Sequence, residues 1–199
     1  EYARANGLAP PVADSPQNSL AEPSRAVWPN TSFLTADKRP KWREATHGQV
    51  AMLGWECLAK GFMAGKWTRA DGEGLSDVEL NDDNGSAWRD MQLRRAYLSG
   101  STNFDRRDRA QEVATKCAMG LPEVALGYVI SQAISSHASS FALVGTTSLH
   151  HFQQNAKAAA LTSPVARFTP DELLYLEAGH AAPPSSPPSH SSSSSSSSS

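Results

Sequence analysis

Phe141-Ala142-Leu143-Val144-Gly145-Thr146-Thr147-Ser148-Leu149 is the stretch that decides the fold. Four apolar residues are too few for a helix and suit a short buried strand. They run straight into a glycine turn rich in hydroxyls, and helical spacing follows from about Leu149 to Ala160. A strand that passes directly into a helix is a unit of parallel sheets, because parallel partners need a crossover connection. The turn also has a chemical reading. Gly145 to Ser148 lead into a helix N-terminus, where amides without intrahelical partners and the positive end of the dipole favour an anion. Alone the signal is weak, since Ser or Thr before a helix most often serves as an N-cap and glycine as a tight turn.

Upstream, Gln49-Val50-Ala51-Met52-Leu53-Gly54-Trp55 repeats the buried-strand pattern. It follows Gly48, which ends a helix expected from about Asp37 to Ala45 with Trp42 as its apolar anchor. After this strand, Glu56 to Lys66 form a turn with two glycines and two lysines, able to offer amides and ammonium charge to an anion. The turn superficially resembles a triphosphate-binding loop, but its glycines are too close together and Trp67 stands where Ser or Thr must reach magnesium, so that reading is rejected. Further upstream, the proline-led run Ala9-Pro10-Pro11-Val12-Ala13 suits the entry of another strand, with Asp14 to Ser19 as a polar loop and residues 20–35 as a long surface loop.

Helical spacing is clear at Ala110, Val113, Ala114 and Cys117, ended by Gly120, and again at Leu121, Val124, Ala125 and Tyr128. Thr169-Pro170-Asp171-Glu172 is a capping box that opens a last helix over 170–178. From Arg69 to Gly100 loop dominates, with Trp88, Met91, Leu93, Tyr97 and Leu98 suggesting one late amphipathic helix. The order is helix end, strand, helix, strand, helix pair, strand, helix, helix, which makes the class α/β with a parallel sheet. An open doubly wound sheet and part of a (β/α)8 barrel both remain compatible with the pattern. Three strands cannot close a barrel, for which about 250 residues are typical.

At 199 residues and 39% apolar content, one core is expected. Charges of both signs are mixed along the chain and sum to −2, so no nucleic-acid or membrane face is expected. Cys57 and Cys117 lie far apart without metal-ligand spacing, which speaks against a disulfide framework or a zinc site and for reduced thiols in a soluble, cytoplasmic protein. Glu1 to Gly7 read as the last turns of a helix closed by glycine, so the chain is expected to be incomplete. Residues 180–199, rich in Pro and Ser, are expected to form a disordered tail without apolar side chains to offset ordering entropy.

Several strings in order across residues 1–179 carry a family likeness: Ala5-Asn6-Gly7-Leu8 with Pro11-Val12, Trp55 to Gly61, Ala125-Leu126-Gly127-Tyr128-Val129, and Val144 to Leu149 ending at Asn155. Together they resemble the aldo-keto reductase family. The resemblance implies a partial (β/α)8 TIM barrel, approximately strands 6 to 8 with their helices, over residues 1–179. It implies NADP(H) as cofactor and hydride transfer to a small aldehyde or ketone. By that likeness Trp55 stacks on the nicotinamide, Glu56, Cys57, Leu58, Ala59, Lys60 and Gly61 line the pyrophosphate, and Lys66 matches a lysine that reaches the adenosine phosphate. Gly145 and Thr147 match positions near the ribose phosphate, while His151, Gln154 and Asn155 match residues on the adenine side, Asn155 most closely.

Three departures stand out. Ser15 occupies the place of a glutamine that bonds the carboxamide, a task that Gln17 or Asn18 are candidates to take over. Glu56 replaces a small serine and sets a carboxylate beside phosphates unless Lys60 or Lys66 neutralises it. His151 favours a phosphate when protonated, although a solvated pair with His150 is the plainer reading. The family's catalytic tyrosine, lysine, aspartate and histidine belong to the part of the barrel before Glu1; Tyr2, Tyr97, Tyr128 and Tyr175 do not match that tyrosine, so no catalytic residue is assigned. Trp28 lies in the loop beside the substrate cavity, where loop packing is its plainer role. The expectation is a reductase chain inactive by itself; the alternatives are a non-catalytic nucleotide-binding regulatory subunit and a truncated product with an open sheet edge.

Overall fold

The computed structural model describes residues 2–28, 30–73, 91, 94–99, 102–132, 140–161 and 168–179. Three parallel strands form one sheet in the order β1 (Ala13–Asp14), β2 (Ala51–Gly54), β3 (Ser140–Ala142). The register pairs Ala13 with Ala51, Leu53 with Phe141 and Gly54 with Ala142. Because the strands are parallel and in step, the turns after β2 and β3 emerge at the same edge of the sheet. The ladder extends beyond the strand limits, with the Ala51 amide donating to Val12 at 2.9 Å and the Leu143 amide to Gly54 at 2.7 Å. β1 sits later than the sequence pattern predicts and takes in Asp14, since Pro10 and Pro11 have no amide for a ladder. β3 instead sits earlier than expected, at Ser140–Ala142; Val144 has already left the sheet, and Phe141, Leu143 and Val144 are exposed rather than buried.

Helices connect and cover these strands: α1 (Tyr2–Ala5), α2 (Lys38–Ala45), α3 (Thr102–Lys116), α4 (Leu121–Ser131), α5 (Leu149–Leu161) and α6 (Pro170–Ala178). α6 opens with the expected reciprocal cap, the Glu172 amide donating to the Thr169 hydroxyl at 3.3 Å and the Thr169 amide to the Glu172 carboxylate at 2.7 Å. α3 begins at Thr102 rather than near Ala110 because charged residues crowd 102–109 and hide the buried face that Asn103 and Phe104 mark. α2 is anchored by Arg39 rather than by Trp42; Trp42 is only partly buried, and its ring N–H donates to Asp14 at 2.7 Å. Of the helix predicted around Trp88, Met91, Leu93, Tyr97 and Leu98, Trp88 and Leu93 lie outside the described residues, as does the expected tail, while Arg94–Leu98 forms a wide helical turn that buries Ala96, Tyr97 and Leu98.

The core centres on α4, which packs against the sheet, α3 and α5 and buries Leu121, Val124, Ala125, Leu126, Tyr128 and Val129. An all-round apolar helix is what such a position requires, and each fully buried Val, Leu or Phe contributes about 1.5–3 kcal/mol. Gly54 lets α4 approach β2 closely: a Cβ there would lie 3.3 Å from both Asn18 Cβ and Val129 Cγ1. On the side toward α2 and α6 the core is ionic. Arg39, 2% exposed, pairs with Glu177 at 2.8 Å; the Tyr128 hydroxyl donates to Glu177 at 2.5 Å, and Arg106 pairs with Glu22 at 2.8 Å. Buried charges persist only when paired, so this network ties α2, α3, α4, α6 and the loop after β1 into one unit. No helix among the described residues is by itself long and apolar enough to cross a membrane.

Candidate functional site

The turn after β2 folds back into the core. Cys57, Ala59, Phe62 and Met63 are buried, and the Phe62 ring meets Phe104 edge-on with centroids 5.0 Å apart. The Cys57 thiol donates to the Gly54 carbonyl at 3.1 Å, and burial pushes its pKa up to about 12, so it is a neutral packing group. Most amides here serve the turn itself: Ala59 donates to Glu56 at 2.7 Å, Gly61 to Leu58 at 3.0 Å and Met63 to Leu58 at 3.2 Å. Those donors are therefore not offered to an anion. Glu56, Ala59 and Lys60 take left-handed φ values of 58°, 48° and 53°, a conformation that disfavours side chains and persists only where the surroundings impose it. The Glu56 carboxylate pairs with Lys60 at 2.8 Å, the neutralisation that this acidic residue needs beside an anion. Lys66 is exposed, with its ammonium 5.0 Å from the Trp67 ring centroid.

The turn after β3 is the reverse. Gly145, Thr146, Thr147, His150 and His151 are exposed, and Gln154 and Asn155 are half-buried. The Ser148 amide donates to the Thr146 hydroxyl at 3.2 Å and the His151 amide meets the Ser148 hydroxyl at 3.5 Å, so the leading turn caps α5. A Cβ placed on Gly145 would meet nothing within 4 Å.

Between the two turns lies a groove of about 670 Å³ lined by Leu58, Ala64, Pro122, Gly145, Thr146, Thr147, His150, His151, Gln154 and Asn155. That size lies in the range of small-molecule sites. The side chains of Thr147, His150, His151, Gln154 and Asn155 have no hydrogen-bond partner among the described residues. Of the residues singled out from the sequence, the groove thus gathers Leu58, Gly145, Thr147, His151, Gln154 and Asn155. It leaves Trp55, Glu56, Cys57, Ala59, Lys60, Gly61 and Lys66 out of its lining. The Trp55 ring N–H instead donates to the Ser15 carbonyl at 3.1 Å, at the rim where β1 and β2 end.

Gln17 and Asn18 do not stand in for a solvent-facing carboxamide partner at Ser15. Both are fully buried; Gln17 bonds the Tyr97 hydroxyl and Asn18 approaches the Met52 sulfur at 3.1 Å. Trp28 is exposed and has the Lys60 ammonium 5.9 Å from its ring centroid. Sequence reasoning did not name Ala64, Pro122, Thr146 or His150 as contacts. Thr146 and His150 stand in the stretch that announced the turn, whereas Pro122 comes from a distant helix start with no local signal.

Tyr97, Tyr128 and Tyr175 are buried and none lines the groove. Burial, then the Glu112 carboxylate that accepts from it at 2.5 Å, pushes Tyr175 up to about 12, and burial raises Tyr97 and Tyr128 as well. A family model described as Aldo/keto reductase family matches residues 25–168, most of the chain. No curated protein matches it.

Proposed function

From the premise that the chain belongs to the aldo/keto reductase family, whose members are oxidoreductases that typically use nicotinamide cofactors, we propose that residues 1–179 supply strands six to eight of a (β/α)8 barrel and hold NADP(H) for the reduction of aldehydes or ketones. Residues 180–199 are a separate low-complexity tail in this reading. The observation that carries the proposal is the set of five polar side chains from one turn and helix that line the groove without a hydrogen-bond partner among the described residues. Such side chains can bond a ligand, and a nucleotide's phosphate, ribose and base offer matching donors and acceptors.

When bound, the reduced dinucleotide supplies the hydride that the carbonyl carbon accepts. The chain's own part is to bind and orient. Gly145 leaves room for the ligand to lie against backbone, Thr147 offers a hydroxyl and the α5 N-terminus its positive end, and Gln154 and Asn155 present amides able both to donate and to accept. Lys60 holds the Glu56 charge away from the phosphates. Trp55, Cys57, Ala59 and Gly61 act by shaping the wall on which Leu58 stands, and Lys66 is the exposed cation nearest in sequence to this wall. No described tyrosine is placed or poised to donate a proton in the groove, so the 199-residue polypeptide binds cofactor without turning over. That same observation favours the second reading, a nucleotide-binding regulatory subunit with the reductase fold.

The test is titration with NADPH, followed by NADPH oxidation with a panel of carbonyl compounds. Gly145→Val should weaken NADPH binding by about tenfold or more while the unfolding midpoint holds, since a Cβ there meets no protein atom within 4 Å and projects from the groove lining. Unaltered affinity in that variant removes the groove from the site. Saturable turnover by the wild-type polypeptide overturns the claim that it is inactive by itself.

A further inference from the structure

The two faces of the sheet differ in kind. Met52, Gly54 and Ser140 turn toward the helices: Met52 is fully buried, the Ser140 hydroxyl donates to the Val129 carbonyl at 2.8 Å, and a Cβ on Gly54 would lie 3.3 Å from Val129 Cγ1. Asp14 of β1 turns the same way and accepts from Trp42 of α2 at 2.7 Å. Side chains alternate along a strand, so Ala13, Ala51, Leu53, Phe141 and Leu143 stand on the other face. The register agrees, with Ala13 beside Ala51 and Leu53 beside Phe141. All five are apolar. Ala13 is exposed, Ala51 and Leu53 are partly exposed, and Phe141 and Leu143 are 50% and 46% exposed.

Parallel sheets occur almost only with both faces covered, and strands that are apolar on both sides are their signature. Here one face is bare. The outer edges of β1 and β3 are bare as well, since neither has a further strand beside it among the described residues. We propose that this face is the contact between two copies of the chain. A two-fold contact sets a patch against itself, so a patch that carries charge would repel its own image. This one carries none: β2 and β3 contain no Lys, Arg, Asp or Glu, and the carboxylate of β1 is turned away to Trp42.

The edges fit the same partner. A two-fold axis along the strands keeps every strand parallel and brings β3 of each copy beside β1 of the other, so that both free edges close in one step. The exposed apolar side chains come to on the order of 400 Å² per copy, a patch of the size that marks an interaction site. With the main-chain edges added, the contact approaches the roughly 800 Å² per partner of a specific interface. Pro10 and Pro11 have no amide to offer a neighbouring strand, so pairing along β1 is short and the association is weak. No residue of the groove between the two turns lies on this face, so the inference is independent of the dinucleotide reading.

The test is sedimentation velocity of the full 199-residue chain from about 1 to 200 μM, with thermal unfolding over the same range. A reversible monomer–dimer equilibrium with a dissociation constant on the order of 10 μM is expected, and an unfolding midpoint that rises with protein concentration. Phe141→Glu and Leu143→Asp should each raise the dissociation constant by about tenfold or more. Leu143 lies just past β3, so its variant carries the test if Phe141→Glu does not fold. Leu174→Glu, at a side chain equally exposed but on α6, should leave the dimer unchanged. One chain mass at every concentration overturns the inference and leaves the remaining strands of a barrel as the cover for this face. Association that Leu174→Glu weakens equally, or that runs on past two copies, also overturns it, because neither comes from a closed two-fold contact.

Discussion

The turns after β2 and β3 leave the same edge of one sheet and border one groove, yet they are built on opposite principles. The β2 turn spends its amides on itself, buries Cys57, Ala59, Phe62 and Met63, and closes its one carboxylate against Lys60. The β3 turn keeps most of its side chains in solvent and caps α5 with hydroxyls, and the side chains of His150, His151, Gln154 and Asn155 beyond it have no hydrogen-bond partner among the described residues. The contrast teaches that one wall of the groove is a scaffold, positioned by the core, and the other is the recognition surface. Substitutions in the first should register as stability and in the second as affinity.

The hardest blow to that division comes from Phe62→Ala. The ring is fully buried against Phe104, so its loss should destabilise the fold by about 3–5 kcal/mol in urea denaturation. A change below 1 kcal/mol would mean that the β2 turn is not part of the core. Lys60→Ala comes next. It strips the partly buried Glu56 of its partner, and one Glu56 oxygen already lacks a hydrogen bond. We expect a loss of roughly 1–3 kcal/mol in stability, together with weaker NADPH binding in the same titration. Adding Glu56→Ser should restore the binding.

Alkaline pH separates the walls without any substitution. Burial raises the Cys57 pKa from its ordinary 9.0 to about 12. The unfolded chain then binds fewer protons than the native one in that window, so stability is complete below pH 9 and declines as pH rises toward 12. The slope reaches about 1.4 kcal/mol per pH unit where the two states differ by one proton. Denaturation of wild type and Cys57→Ala at pH 9 and 10.5 reads this out, and equal pH slopes in the two would remove Cys57 as the cause.

On the recognition wall the effects are smaller and of another kind. Asn155→Ala should weaken NADPH binding by about five- to tenfold while leaving the unfolding midpoint in place. Phe152→Ala, at a ring 59% exposed, should change stability by no more than about 0.5 kcal/mol, an order of magnitude below its buried counterpart Phe62. A loss comparable to that of Phe62 would show that the α5 face is covered.

Much of the fold could be read before any coordinates, because helical spacing and turn chemistry are local, although Phe141, Leu143 and Val144 of the apolar run expected to be buried are exposed. Phe141 to Leu149 announced strand, turn and helix, and Thr169 to Glu172 announced α6 and its cap. The misplaced features share a cause. Arg39 and the start of α3 are charged in sequence and buried in space, and their burial depends on partners such as Glu177 and Glu22 that lie far along the chain. β1 was displaced because prolines mark the approach to a strand as readily as the strand itself.

By itself the sequence determined the alternation of strands and helices, the parallel sheet, and the family that its strings resemble, since each follows from local spacing and turn chemistry. Only the tertiary structure decided which of the candidate residues share a groove. Leu58, Pro122 and Asn155 meet there because parallel register sets two turns at one edge and α4 packs beneath them. Cys57 and Ala59, one position away on either side of Leu58, turn inward instead. Direction of a side chain within an irregular turn is set by what the turn packs against, and that is a long-range property no local pattern encodes.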